Sequence, residues 1–96
     1  MNYTWDPAKR AKVVAEHKVD LANIKDIFVD PFALEFIDEA HSTNDERRFA
    51  IIGLTAECGL IYLVFTEVSQ EELRFITARK AEPWMVKEYE QARRRI

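Results

Sequence analysis

Residues 48–79 read RFAIIGLTAECGLIYLVFTEVSQEELRFITAR, and the fold turns on how this stretch is parsed. Arg48 to Leu54 and Leu60 to Glu67 are rich in Ile, Leu, Val, Phe and Tyr and predict two strands. Thr55-Ala56-Glu57-Cys58-Gly59 joins them, and Gly59 is suited to a positive φ. Val68 to Glu71 makes a second short link to a third strand, Glu72 to Arg79. Consecutive strands with short links imply an antiparallel meander. The third strand stops in a basic pair, Arg79-Lys80, just before a helix. With Arg74 this places three cations within seven residues, in a chain whose formal net charge is -3. Such a concentration points to an anion site.

Outward from the meander, Asn2 to Trp5 predicts a short edge strand. Asp6 can cap a helix and Pro7 suits its first position, so a helix runs to about His17. A second helix is expected from Asp20, with Leu21, Ile24, Ile27 and Phe28 on one face, ending at Asp30-Pro31. Leu34 to Ile37 reads as a strand and Asp38 to Asp45 as a polar loop. Glu82-Pro83 repeats the cap-plus-proline start, and Met85, Tyr89, Ala92 and Ile96 form the apolar stripe of a last helix. The expected class is α+β: a small antiparallel sheet with two N-terminal helices and one C-terminal helix, one sheet face covered and the other open.

The 96 residues suit one domain, 1–96, with 48% hydrophobic and 32% charged residues. The single cysteine, Cys58, has no internal disulfide partner and no His or Cys at zinc spacing. No signal peptide and no membrane-length apolar run is read, so a cytoplasmic location is expected. Lys+Arg 14 against Asp+Glu 17 argues against broad neutralisation of nucleic-acid phosphates. Any such contact must be local, and the charge is segregated. Acids dominate from Asp20 to Glu46, whereas Arg74, Arg79, Lys80, Lys87 and Arg93-Arg94-Arg95 fall in the last quarter. There is no Walker loop, dinucleotide turn, metal triad or nucleophile elbow, and no cofactor is expected.

Arg74 and Arg79 hold the strongest chemistry, because guanidinium groups grip phosphate bidentately at any working pH. Their spacing of five sends them to opposite faces of a regular strand. Sharing one site requires Arg79 to lie past the strand end. Glu46 and Arg48, two apart, share a strand face, either as base and phosphate clamp or as a surface ion pair. His17 closes the first helix, where the helix dipole favours imidazolium; it is also a residue type that shuttles protons. His41 lies in the acidic loop with no specific role. Trp5 reads as packing against the first helix, and Trp84 as the more exposed stacking candidate.

Taken in order, these pieces resemble one family. Trp5-Asp6 with Lys9, His17 and Val19, Phe28 and Asp30-Pro31, Glu46-Arg47-Arg48-Phe49 with Ile52-Gly53, Arg74 to Ala81 and Tyr89 resemble the BrnT toxins of bacterial type II toxin–antitoxin systems. The resemblance implies a RelE-like fold and a metal-independent endoribonuclease that blocks translation by cutting RNA. It implies Arg48, Arg74 and Arg79 as phosphate-binding residues. Glu46 or His17 would carry the proton, and Lys9, Lys80 and Tyr89 would support RNA binding, joined by Trp84 as the stacking candidate read from its own position and not from the resemblance. It also implies a BrnA-like antitoxin, contact with operator DNA only through the toxin–antitoxin complex, no membrane association, and assembly as a toxin homodimer or 2:2 heterotetramer. The chain departs from the family pattern at Val13, Glu16 and Lys18, where Asn, Lys and Gly are usual, and at Thr77, where Ser is usual. Glu82-Pro83-Trp84 and Met85 replace the basic start of the last helix. These changes remove positive charge near the site. They leave a second reading, a non-catalytic toxin-fold module that binds an antitoxin and acts in operon autoregulation.

Overall fold

The computed structural model describes residues 1–95, apart from the side chain of His41, so the expectations for His41 and Ile96 lie outside the described residues. The strands are β1 (Asn2–Trp5), β2 (Leu34–Ile37), β3 (Arg48–Thr55), β4 (Gly59–Ser69) and β5 (Glu72–Lys80), in the sheet order β1-β5-β4-β3-β2. The meander from β2 to β5 is antiparallel throughout. β1 pairs with β5 in parallel, so the sheet is mixed. No hairpin joins these two strands, and no turn therefore dictates their direction. Gly59 takes φ +70° at the β3–β4 turn, as expected.

Helix α1 (Pro7–His17) begins where expected, with Asp6 Oδ1 accepting from the Ala8 N–H at 2.8 Å. It ends at Lys18, which adopts a left-handed conformation at φ 59°. The expected second helix is two short 3₁₀ turns, Leu21–Asn23 and Lys25–Val29, broken at Ile24. Leu21, Ile24 and Ile27 are spaced by three and all fully buried. The Asn23 N–H donates to the Asp20 carbonyl and the Ile27 N–H to the Ile24 carbonyl, so each turn closes over three residues, and Ile24, at φ -121°, interrupts the winding. Helix α2 (Pro83–Arg94) closes the chain.

The two sheet faces differ. Ile51, Leu63, Phe65, Phe75 and Ala78 pack beneath α1 and the 3₁₀ turns, where Tyr3, Phe28, Phe65 and Phe75 form an aromatic cluster. On the other face α2 covers only one end, through Met85 and Tyr89 against Ile52. Beyond Ile52, where β2 no longer pairs, Asp30 accepts from the Leu54 N–H and Asp26 from the Ala56 N–H, both at 2.8 Å. These carboxylates cap the exposed edge of β3. Among the described residues no helix is long and apolar enough to cross a membrane.

Candidate functional site

The open sheet face is built around Thr66. On β3 its cross-strand neighbour is Arg48, and on β5 it is Arg74. Cross-strand neighbours share a face, so two guanidinium groups flank one threonine. Thr66 is buried, and its hydroxyl donates to the Arg47 carbonyl at 2.9 Å. Because β3 and β5 both run antiparallel to β4, they run parallel to each other. Glu46-Arg47-Arg48 and Glu72-Leu73-Arg74 therefore run in the same direction on either side of β4. Arg48 Nε donates to Glu46 Oε1 at 2.9 Å. Glu72 Oε2 lies 3.9 Å from Arg74 and accepts from the Thr4 hydroxyl at 2.9 Å. A cleft of about 560 Å³ opens here, lined by Lys9, Glu46, Arg48, Glu72, Arg74 and Ile76 among others. Lys9 enters from the first turns of α1.

Arg79 reaches the same face by a device absent from a regular strand. Val64 pairs with Thr77 but Phe65 pairs with Phe75, leaving Ile76 as a bulge. The extra residue restores the parity that a spacing of five would break. Arg79 thus lies within β5, not past its end, and faces Tyr62. Its guanidinium sits 5.1 Å from the Tyr62 ring centroid and 3.5 Å from Glu82 Oε1. The second Glu82 oxygen accepts from the Trp84 indole N–H at 2.7 Å. Burial pushes the Tyr62 phenol above its ordinary range; nearby Asp38 and Glu82 reinforce the rise and Arg79 opposes it. Tyr62 and Thr66 are four residues apart on β4, so the Arg79 row lies roughly 13 Å from the Arg48–Arg74 row.

The remaining expected residues lie elsewhere. Lys80 pairs with Ile61 on the opposite face and donates through Nζ to the Cys58 carbonyl at 2.9 Å. Tyr89 is buried under α2, its hydroxyl donating to Asp30 Oδ2 at 2.7 Å. Burial first, then the Asp30 hydrogen bond and charge, push its phenol up to about 12. His17 is eight residues beyond Lys9, roughly 12 Å further along the helix, with Glu16 at 3.8 Å. Trp5 stacks on Phe75 at a centroid distance of 6.3 Å, and its packing is thus to the sheet. Sequence reasoning gives Glu72, Tyr62 and Thr66 no place in the site, and Glu82 only that of a helix cap. The repeated Glu-x-Arg spacing was the available signal for Glu72. Among the described residues no group of three His, Cys, Asp or Glu side chains is arranged to hold a metal.

Residues 5–83 match the family model described as the ribonuclease toxin BrnT of type II toxin–antitoxin systems. The crystal structure of the Brucella abortus ribonuclease toxin BrnT superposes with a TM-score of 0.68 at 29% identity. That match covers 85% of this chain and 97% of the Brucella chain. No curated protein matches the chain by sequence. The sheet with its α+β layering and the family match over most of the chain lead to one conclusion: this chain belongs to the BrnT family of toxins of type II toxin–antitoxin systems.

Proposed function

We propose that the open sheet face cleaves RNA without a metal ion and that this activity blocks translation. The observation that carries the reading is the placement of Arg48 and Arg74 on either side of Thr66, with Arg79 returned to the same face by the Ile76 bulge. The substrate 2′-hydroxyl attacks the adjacent phosphate as Glu46 takes its proton. Arg48 and Arg74 hold the non-bridging oxygens and stabilise the charge that develops on them. The departing 5′-oxygen takes up a proton, for which Lys9 of the same cleft is the candidate donor, leaving a 2′,3′-cyclic phosphate. Glu46 is a better proton carrier than His17 because it lines the cleft. An antitoxin of the BrnA kind covers this toxin and carries the complex to operator DNA.

The decisive experiment measures RNA cleavage in chelator-containing buffer by the wild type and by Arg48→Ala, Arg74→Ala and Arg79→Ala. Wild-type cleavage that all three changes reduce supports the mechanism; equal cleavage by all four proteins removes the arginines from it. One observation favours a second reading, a non-catalytic antitoxin-binding module. Each of the three arginines is paired with a carboxylate of its own, Glu46, Glu72 or Glu82. Inducible expression in a bacterium separates the two: unimpaired growth with intact total RNA selects the module.

A further inference from the structure

We infer that Tyr62, Arg79 and Trp84 form a base-stacking subsite next to the phosphate-binding arginines, so that the protein accepts single-stranded RNA across two successive nucleotides. This rests on the ribonuclease reading and extends it to the class of substrate. The rows at Thr66 and Tyr62 are roughly 13 Å apart, more than one phosphate can bridge. An anion between Arg48 and Arg74 therefore leaves the Tyr62–Arg79 row to the neighbouring nucleotide.

What stands in that row is suited to a base and not to a second phosphate. Arg79 lies over the Tyr62 ring at 5.1 Å, so cation and ring form one cation–π pair in this row. Phe36 lies 6.2 Å from Tyr62, centroid to centroid, and is 39% exposed. Trp84 is 52% exposed, an unusual position for a large aromatic. Its indole N–H is bound to Glu82, whose other oxygen faces Arg79. Glu82 is thus a positioning residue: one carboxylate orients both the indole and the guanidinium. Bases inside a duplex are stacked on each other and unavailable to such a platform, so the strand must be single.

The test uses the purified full chain and an uncleavable 2′-O-methyl tetranucleotide, compared with the same oligomer made abasic. Binding of the base-bearing oligomer should quench Trp84 emission in a Trp5→Phe background. Read by the anisotropy of end-labelled oligomers, Trp84→Ala should weaken the base-bearing one by about tenfold and leave the abasic one unchanged, since stacking on one aromatic contributes on that scale. Glu82→Gln should weaken the same oligomer less than Trp84→Ala does. Trp84 is exposed, so its replacement does not endanger folding. Equal losses on both oligomers, or none, in a protein whose binding still depends on Arg74 would overturn the subsite alone. Failure of the wild type to bind either oligomer would sink the ribonuclease reading as well. Emission that responds to co-purified antitoxin and to neither oligomer would assign the platform to a protein partner and overturn the proposal.

Discussion

Arg74 and Arg79 project from the same face of β5 although five residues separate them, because Ile76 is bulged out of the pairing with β4. The bulge decides which side of the sheet carries Arg79. Deletion of Ile76 would close the bulge and shorten the Arg74–Arg79 spacing to four, which keeps Arg79 opposite Tyr62 and Ala78 in the larger core. What is lost is the Ile76 side chain, itself 9% exposed. Removing a buried isoleucine costs about 2–5 kcal/mol. Urea unfolding of the deletion variant should show that loss while cleavage still depends on Arg79; cleavage that no longer responds to Arg79→Ala would mean that the strand has slipped and carried Arg79 to the other face.

Glu46 and Arg48 are expected to separate binding from chemistry. Glu46→Gln removes the proposed base and at the same time frees Arg48 from the hydrogen bond at 2.9 Å. Cleavage should fall by about 10²–10⁴-fold, the usual contribution of a general base. RNA affinity should hold or rise, because an exposed ion pair no longer competes with phosphate. A parallel fall in affinity would assign Glu46 to binding.

How far these features could be read from sequence depends on how far apart the interacting residues lie. The meander was legible because its strands are apolar runs separated by short polar links, all within residues 34–80. The bulge was not, because Ile76 is one more apolar residue in an apolar run and its displacement exists only relative to Val64 and Phe65. The 3₁₀ turns were misread as one helix because Leu21, Ile24 and Ile27 satisfy both periods over so short a span. The RNA role of Tyr89 comes from the resemblance alone, and its bond to Asp30 could not be read because the two lie 59 residues apart and leave no local trace.

Gly53 lies where β3 meets the 3₁₀ turn Lys25–Val29. A Cβ there would come within 2.6 Å of Ile27 Cγ1 and 3.2 Å of Ala33 Cβ. Ile27 is fully buried and has no room to retreat. Gly53→Ala should therefore destabilise by about 1–3 kcal/mol, as overpacking does. Because Ala raises strand propensity, an unchanged melting temperature would show that the 3₁₀ turn moves freely against the sheet.

Lys18 offers the opposite change. It terminates α1 at φ 59° and ψ 32°, the conformation that glycine takes most easily. A side chain in that region costs about 1 kcal/mol. Lys18→Gly should recover it and raise the melting temperature by about 4–8 °C for a domain of this size. Cleavage by the variant should stay at the wild-type level, since Lys18 does not line the cleft around Arg48 and Arg74.

The Asp30–Tyr89 pair should shape stability at both pH extremes. Burial pushes the Asp30 carboxyl up, but N–H groups of Leu54 and Phe32 and the Tyr89 hydroxyl outweigh it and hold it below its ordinary 3.8. Its contribution is therefore present above 3.8 and lost as pH falls through the lower folded value. Tyr89 moves the other way, from 10.0 up to about 12. Its contribution is present below pH 10 and disappears as pH rises towards 12. Tyr89→Phe should cost about 1–2 kcal/mol at pH 7, by leaving Asp30 short of a donor. It should also flatten the alkaline fall in unfolding free energy. An alkaline limb that survives Tyr89→Phe would transfer that titration to Tyr62, whose phenol burial also pushes up.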